Sequence, residues 1–170
     1  TATSTQATGL TAFGDFQLGE QAGTTKTWVG LAGDLNWETA INWNPGTVPI
    51  ATDNVSLTVD STITINSAAV CNSITLNSAN LELRITVGNS LTASGTFTIL
   101  NGKLNTQAAF PTVSGSVSLG GGAVEYSVSG AQTISAQTYN KLTLSGSGTK
   151  TAAGNVTVND SLQVLGTAVF

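Results

Sequence analysis

The chain has 170 residues, enough for one well-packed core, and only 8% of them are charged, where an ordinary soluble domain carries about a quarter. Its net charge is -4, and its only cations, Lys26, Arg84, Lys103, Lys141 and Lys150, form no basic stripe for a phosphate backbone, which excludes nucleic acid as a partner. No apolar run reaches the roughly 18 residues of a helical membrane span, and no basic amphipathic segment would lie on a bilayer, so no membrane insertion is expected.

Residues 1–23 are rich in Thr, Ala, Gly and Gln around a short apolar cluster of Leu10, Phe13, Phe16 and Leu18. They read as one strand and a linker. The chain opens on Thr1 without an apolar signal core, so the expectation is a mature product or an excised fragment.

Residues 24–54 hold all three tryptophans, two of the three prolines and the turn signal Asn44-Pro45-Gly46. This predicts an irregular unit packed around aromatic rings. Trp28, Trp37 and Trp43 have two readings. They close the end of a repeat array, where the core would otherwise meet water, or one of them is an exposed platform on which a sugar ring stacks. Asp34, Asn36, Asp53 and Asn54 are candidate oxygen ligands for calcium, although their spacing matches no calcium loop and both residue types are ordinary turn formers.

From Val55 onward the chain becomes short strings in which apolar residues alternate with Thr or Ser: Ile63-Thr64-Ile65, Ile74-Thr75-Leu76, Phe97-Thr98-Ile99, Leu142-Thr143-Leu144, Val156-Thr157-Val158. Alternation at period two means strands with one buried and one wet face. Asn-Ser, Asn-Gly and Ser-Gly steps separate them as turns. The strings recur at about 20 residues: Ile65 to Ile85, Phe97 to Val117, Leu142 to Leu162 and, slightly longer, Ile134 to Val156. That is the length of a solenoid coil, whose apolar face is buried only by stacking on the next. The fold expected is therefore all-β, a parallel β-helix or related solenoid over 55–170 with residues 24–54 as an aromatic N-terminal cap; a β-sandwich is the alternative. Ile63, Ile65, Ile74, Leu76, Phe97, Ile99, Leu142, Leu144, Val156 and Val158 are predicted to point inward, and turn asparagines such as Asn66 and Asn77 to form ladders between coils.

The run Trp28-Val29-Gly30, Trp37, Asn42-Trp43, Gly46, Val48-Pro49, Asp53-Asn54-Val55 resembles the opening motif of β-helical repeats in large cell-surface adhesin-like proteins of Bacteroidota. The stretch from Gly130 to Leu162, with Gln132-Thr133-Ile134, Tyr139-Asn140-Lys141-Leu142-Thr143-Leu144 and Gly154-Asn155-Val156-Thr157-Val158-Asn159, is similar to a repeat of the same proteins. Ala152-Ala153, where that repeat has a larger apolar residue, and Asp160, where it has a turn glycine, depart from the pattern and weaken the register of their coil. Gly9 to Gly19 looks like the closing strand of a preceding domain. The resemblance implies a secreted, multidomain surface protein exported by the type IX system, whose further domains are its partners, and O-glycosylation at Ser61 and Ser161 within Asp60-Ser61-Thr62 and Asp160-Ser161-Leu162. It carries no active site.

The residues themselves point the same way. A polysaccharide-cleaving β-helix needs clustered acids, or cations beside a carboxylate-bound metal. Glu82 and Arg84, two apart on one strand face, read as a surface ion pair, and Glu125 and Asp160 have no acidic neighbour in sequence. Cys71 is the single cysteine and reads as a small buried hydrophobe; with no histidine, a zinc site is not expected. The expected function is non-enzymatic: a structural or adhesive segment of a cell-surface protein or extracellular fibre, with a carbohydrate-binding module or a filament subunit as alternatives. No cofactor is expected beyond the calcium considered above; surface glycans or like copies are the candidate partners. Because Ala168, Val169 and Phe170 follow a new apolar string without a polar cap, the chain is expected to continue beyond Phe170.

Overall fold

The computed structural model describes residues 23–170; the leader expectation for 1–23 falls almost entirely outside them. The described chain is an all-β solenoid. Seven strands stack side by side in parallel: Thr25–Trp28, Asn54–Leu57, Ser73–Ile85, Phe97–Thr106, Val117–Tyr126, Thr138–Leu144 and Thr157–Val164. The chain takes six successive steps from one rung to the next, each by a parallel pairing. Among the described residues only Trp43–Asn44 pairs antiparallel, against Thr25–Trp28.

From Ser73 on, a single long strand serves two faces. Its first half lies beside Asn54–Leu57 and its second half beside Thr62–Ile65. A third face is built by Ala68–Cys71, Ser90–Ala93 and Thr112–Val113, and further along by Gln132–Ile134, Ser147–Ala152 and Thr167–Val169.

Three of the four intervals read from the sequence are true register pairs: Ile65 beside Ile85, Phe97 beside Val117, and Leu142 beside Leu162. The fourth is corrected. Ile134 lies beside Ala152, not Val156, because the coil between them is shorter; Ile134 is buried and Ala152 is exposed. Asp160 sits where the register between Thr138–Leu144 and Thr157–Val164 shifts, between the pairs Tyr139 with Val158 and Lys141 with Ser161. The extra residue is accommodated as a bulge.

Period-two alternation puts identical inward positions of successive coils on top of one another. Ile63, Leu83, Leu104, Val124 and Leu142 form one such stack, buried to 1% exposure or less. Each side chain so buried contributes about 1.5–3 kcal/mol. Of the residues predicted inward, eight are buried, but Val156 and Val158 are only half-buried. They belong to the outermost described rung, which packs against a neighbour on one side alone.

The corners are held by the predicted ladders. Asn66 Nδ2 donates to Asn36 Oδ1 at 2.8 Å, and Thr86 Oγ1 donates to Asn66 Oδ1 at 3.3 Å. Asn101 Nδ2 reaches Asn77 Oδ1 at 2.9 Å, and Asn72 Nδ2 reaches Asn54 Oδ1 at 2.9 Å.

Candidate functional site

The three tryptophans form one cluster. Trp43 stands edge-on to Trp28 with centroids 5.1 Å apart and to Trp37 at 4.6 Å, and the Nε1 of Trp43 donates to the carbonyl of Trp37 at 2.7 Å. None is more than 4% exposed. The sugar platform expected of Trp28, Trp37 or Trp43 is therefore corrected: their ring faces are spent on one another and on the first coil. Apolar side chains of the same unit, Leu31 and Ile41, do face solvent.

The four calcium candidates sit in two hydrogen-bonded knots that share no partner. Asp34 Oδ1 accepts from the backbone of Asn36 and from Asn42 Nδ2, and its Oδ2 from Thr39 Oγ1 at 2.6 Å. The hydroxyl of Thr39, then the amides of Asn36 and Asn42, hold the Asp34 carboxyl down to about 2. Asn36 spends its Oδ1 on the ladder to Asn66. Asp53 Oδ1 accepts from the backbone and hydroxyl of Thr24 and Oδ2 from the backbone of Ile50, while Lys26 Nζ lies 3.8 Å away. Burial raises the Asp53 carboxyl, but these donors and Lys26 outweigh it and leave it below its ordinary value. Asn54 Oδ1 is engaged by Asn72. The structure thus does not gather Asp34, Asn36, Asp53 and Asn54 around one point, and among the described residues no three His, Cys, Asp or Glu side chains converge.

Ser61, just before Thr62–Ile65, and Ser161, inside Thr157–Val164, are both half-exposed. Beside the first, Asp60 is tied to Ser78 and Asn80; beside the second, Asp160 lies 3.7 Å from Lys141.

The stacking of coils assembles a group that is dispersed along the chain. Lys103 Nζ lies 2.9 Å from Glu82 Oε2 and 2.8 Å from Glu125 Oε2, Arg84 lies 2.6 Å from Glu82 Oε1, and Ser145 Oγ donates to Glu125 Oε1 at 2.6 Å. The Glu82–Arg84 pair was visible in sequence. Glu125 was not connected to it, although Glu82, Lys103 and Glu125 recur at about the coil length and that recurrence was the available signal. Burial raises Glu82, yet its bonds to Lys103 and Arg84 prevail and hold it below the usual carboxylate range. Burial lowers Lys103, and Glu125 and Glu82 more than restore it.

Alongside runs an open groove of about 420 Å³ lined by Asn80, Glu82, Asn101, Lys103 and Lys141, with Gly102, Gly121 and Gly122 in its floor. The glycines are demanded by the neighbouring coils: a Cβ on Gly121 would stand 2.0 Å from the carbonyl oxygen of Leu100. Two interior groups complete the inventory. Cys71 is buried, and burial pushes its thiol up to about 12, which leaves it inert. Lys150 is 1% exposed and donates to the carbonyls of Val128 at 2.7 Å and Gly130 at 3.1 Å and to Gln132 Oε1 at 3.3 Å.

No match was found for the chain among protein-family models, curated proteins or solved structures.

Proposed function

We propose that this chain is a rigid structural and adhesive segment of a secreted cell-surface protein or extracellular fibre, whose work is to hold and display surface at a fixed distance. One observation carries the reading. Parallel pairing runs from Thr25–Trp28 to Thr157–Val164 without a gap, so each coil is fastened to the next by a backbone ladder and a continuous apolar stack. An array of this kind has no internal hinge and transmits length. The scarcity of charge and the Ser, Thr and Asn surface are consistent with an extracellular setting.

A non-catalytic role is favoured by the electrostatics of the only clustered acids among the described residues. Glu82 and Glu125 share Lys103, and Glu82 is held below its usual range, whereas a general acid needs a carboxyl raised toward neutrality. Carbohydrate binding remains a second reading because the groove beside Lys141 and Asn101 is polar and open. Its position differs from the buried tryptophans.

The test is protease shaving of intact cells that make the native protein, read by mass spectrometry, with small-angle scattering of the purified chain. Release of its peptides from the outer surface and a rod-like scattering profile are expected. Retention inside intact cells would overturn the reading.

A further inference from the structure

On the first face of the solenoid, five consecutive rungs carry the same short pattern, a polar residue, an inward residue and a hydroxyl: Thr25-Lys26-Thr27, Asn54-Val55-Ser56, Ser73-Ile74-Thr75, Thr96-Phe97-Thr98 and Ser116-Val117-Ser118. Lys26, Val55, Ile74 and Phe97 are buried, so the flanking positions face outward. The register aligns them. Thr27 lies beside Ser56, Ser56 beside Thr75, Thr75 beside Thr98, and Thr98 beside Ser118. The pairing of Leu119 with Tyr139 sets Thr138 next to Ser118, and Thr138 lies beside Thr157. One column therefore carries a hydroxyl on every one of seven rungs. A second column, Thr25, Asn54 and Ser73, runs parallel to it and continues to Thr96, whose N–H donates to Ser73 Oγ at 3.0 Å.

The dimensions of this array are those of the backbone. Rungs repeat at about 4.8 Å, and positions two apart on a strand are separated by about 6.6 Å. Its corners are fixed by the ladders of Asn54 with Asn72 and Asn77 with Asn101. Neither column contains a charged or aromatic side chain. The charge lies elsewhere, with Glu82, Arg84, Lys103, Glu125, Lys141 and Asp160 gathered on the second face.

A flat hydroxyl array of this kind has no pocket for a small ligand, no ring for a sugar to stack on and no charge for an ionic partner. What it offers is regularity in two directions. Each hydrogen bond at such a site is worth only about 0.5–1.5 kcal/mol net, but a rigid array engages a periodic partner at many points without ordering cost. Five of the seven positions in the first column are threonines, whose methyl groups set an apolar surface beside the hydroxyls. The partner that is periodic, rigid, uncharged and built of hydrogen-bonding groups at this spacing is a water lattice. We infer that the columns led by Thr27 and Thr25 form an ice-binding face. This inference stands apart from the spacer reading, and either can fail without the other.

The experiment uses the full chain in a thermal-hysteresis and ice-recrystallisation assay. The chain is expected to depress the freezing point below the melting point and to arrest crystal coarsening at micromolar to millimolar concentration. Thr75→Lys/Thr98→Lys, which places charge in mid-array, should reduce both to the buffer baseline, while Thr143→Lys on the second face should retain them. Ser118→Lys/Thr138→Lys supplies a second test at positions already exposed, where folding is not at stake. Circular dichroism checks each variant. Absence of both activities in the parent, or their survival in both array variants, would overturn the assignment. Binding to a crystalline neutral polysaccharide without any effect on ice would overturn it too and give the face to adhesion.

Discussion

Lys150 lies directly beside Gln132 in the register of neighbouring coils, and its Nζ donates to Oε1 of Gln132 at 3.3 Å inside the solenoid. The ammonium has oxygen partners but no carboxylate within ion-pair distance among the described residues, and burial holds it below its ordinary value. Between that lowered value and 10.5 the unfolded chain binds more protons than the folded one, so this group makes stability rise with pH. Lys103, raised by Glu125 and Glu82 against its burial, acts in the opposite sense: its contribution is full below 10.5 and lost as pH climbs through the folded value. Urea midpoints of the parent and Lys150→Met isolate the first effect. The parent should gain on the variant as pH climbs from that lowered value toward 10.5; a constant difference would show that Lys150 is not perturbed.

Acid should act through Asp34. Hydrogen bonds from Thr39, Asn36 and Asn42 lower its carboxyl from 3.8 to about 2, so the stability it contributes is complete above 3.8 and disappears as pH falls through about 2. Asp34→Asn should flatten that part of the melting-temperature profile, lowering the melting temperature above 3.8, where the carboxylate contributes in full, and leaving it little changed at the acid end. A parent profile already flat between these values would contradict the hydrogen-bonded knot.

The tryptophan cluster makes an asymmetric prediction. Trp43→Ala should cost about 3–5 kcal/mol, the range for deleting a buried aromatic. Phenylalanine separates packing from hydrogen bonding. Trp43→Phe leaves the carbonyl of Trp37 without its 2.7 Å donor, a loss of about 1–3 kcal/mol, whereas Trp37→Phe removes an indole N–H that is buried without a partner among the described residues. Thermal melts should therefore rank Trp43→Phe well below Trp37→Phe. Equal melting temperatures would mean that the bond between the two residues contributes nothing.

The class of fold was legible because the physics of a solenoid writes itself twice into the chain, once as alternation and once as recurrence. Ile65 to Ile85 and Leu142 to Leu162 carry both signals, and both are register pairs. Recurrence fails where coil length changes, and for that reason Ile134 was matched to Val156 rather than to Ala152. The charged group was illegible for a related reason. Glu125 meets Lys103 only across a stacked rung, so its partner is one coil away and invisible to a search among sequence neighbours. Lys150 shows the limit of polarity as a guide. A lysine flanked by threonines reads as surface, yet its strand turns it inward and backbone carbonyls receive its charge.

The run Gly120-Gly121-Gly122 offers the sharpest test of how closely the coils approach. All three glycines lie in Val117–Tyr126, where the strand passes from the first face to the second, and none has positive φ, so an alanine is not refused by the backbone conformation itself. Space alone decides. A Cβ on Gly120 meets nothing within 4 Å; on Gly121 it would stand 2.0 Å from the carbonyl oxygen of Leu100, and on Gly122 2.3 Å from Ile99 Cγ2 and 2.4 Å from the carbonyl oxygen of Gly102. The obstacles at Gly121 are backbone atoms of the adjacent coil, which move only if the ladder between the strands opens. Gly120→Ala should then be neutral or stabilising by up to about 1 kcal/mol, since it restricts only the unfolded chain. Gly121→Ala should lose about 1–3 kcal/mol, and Gly122→Ala a similar amount because its methyl contact yields more easily than its carbonyl contact. Urea unfolding of the three single variants reads this directly. Three equal midpoints would mean that the coils are not stacked as closely here as the register of Val117–Tyr126 against Phe97–Thr106 requires.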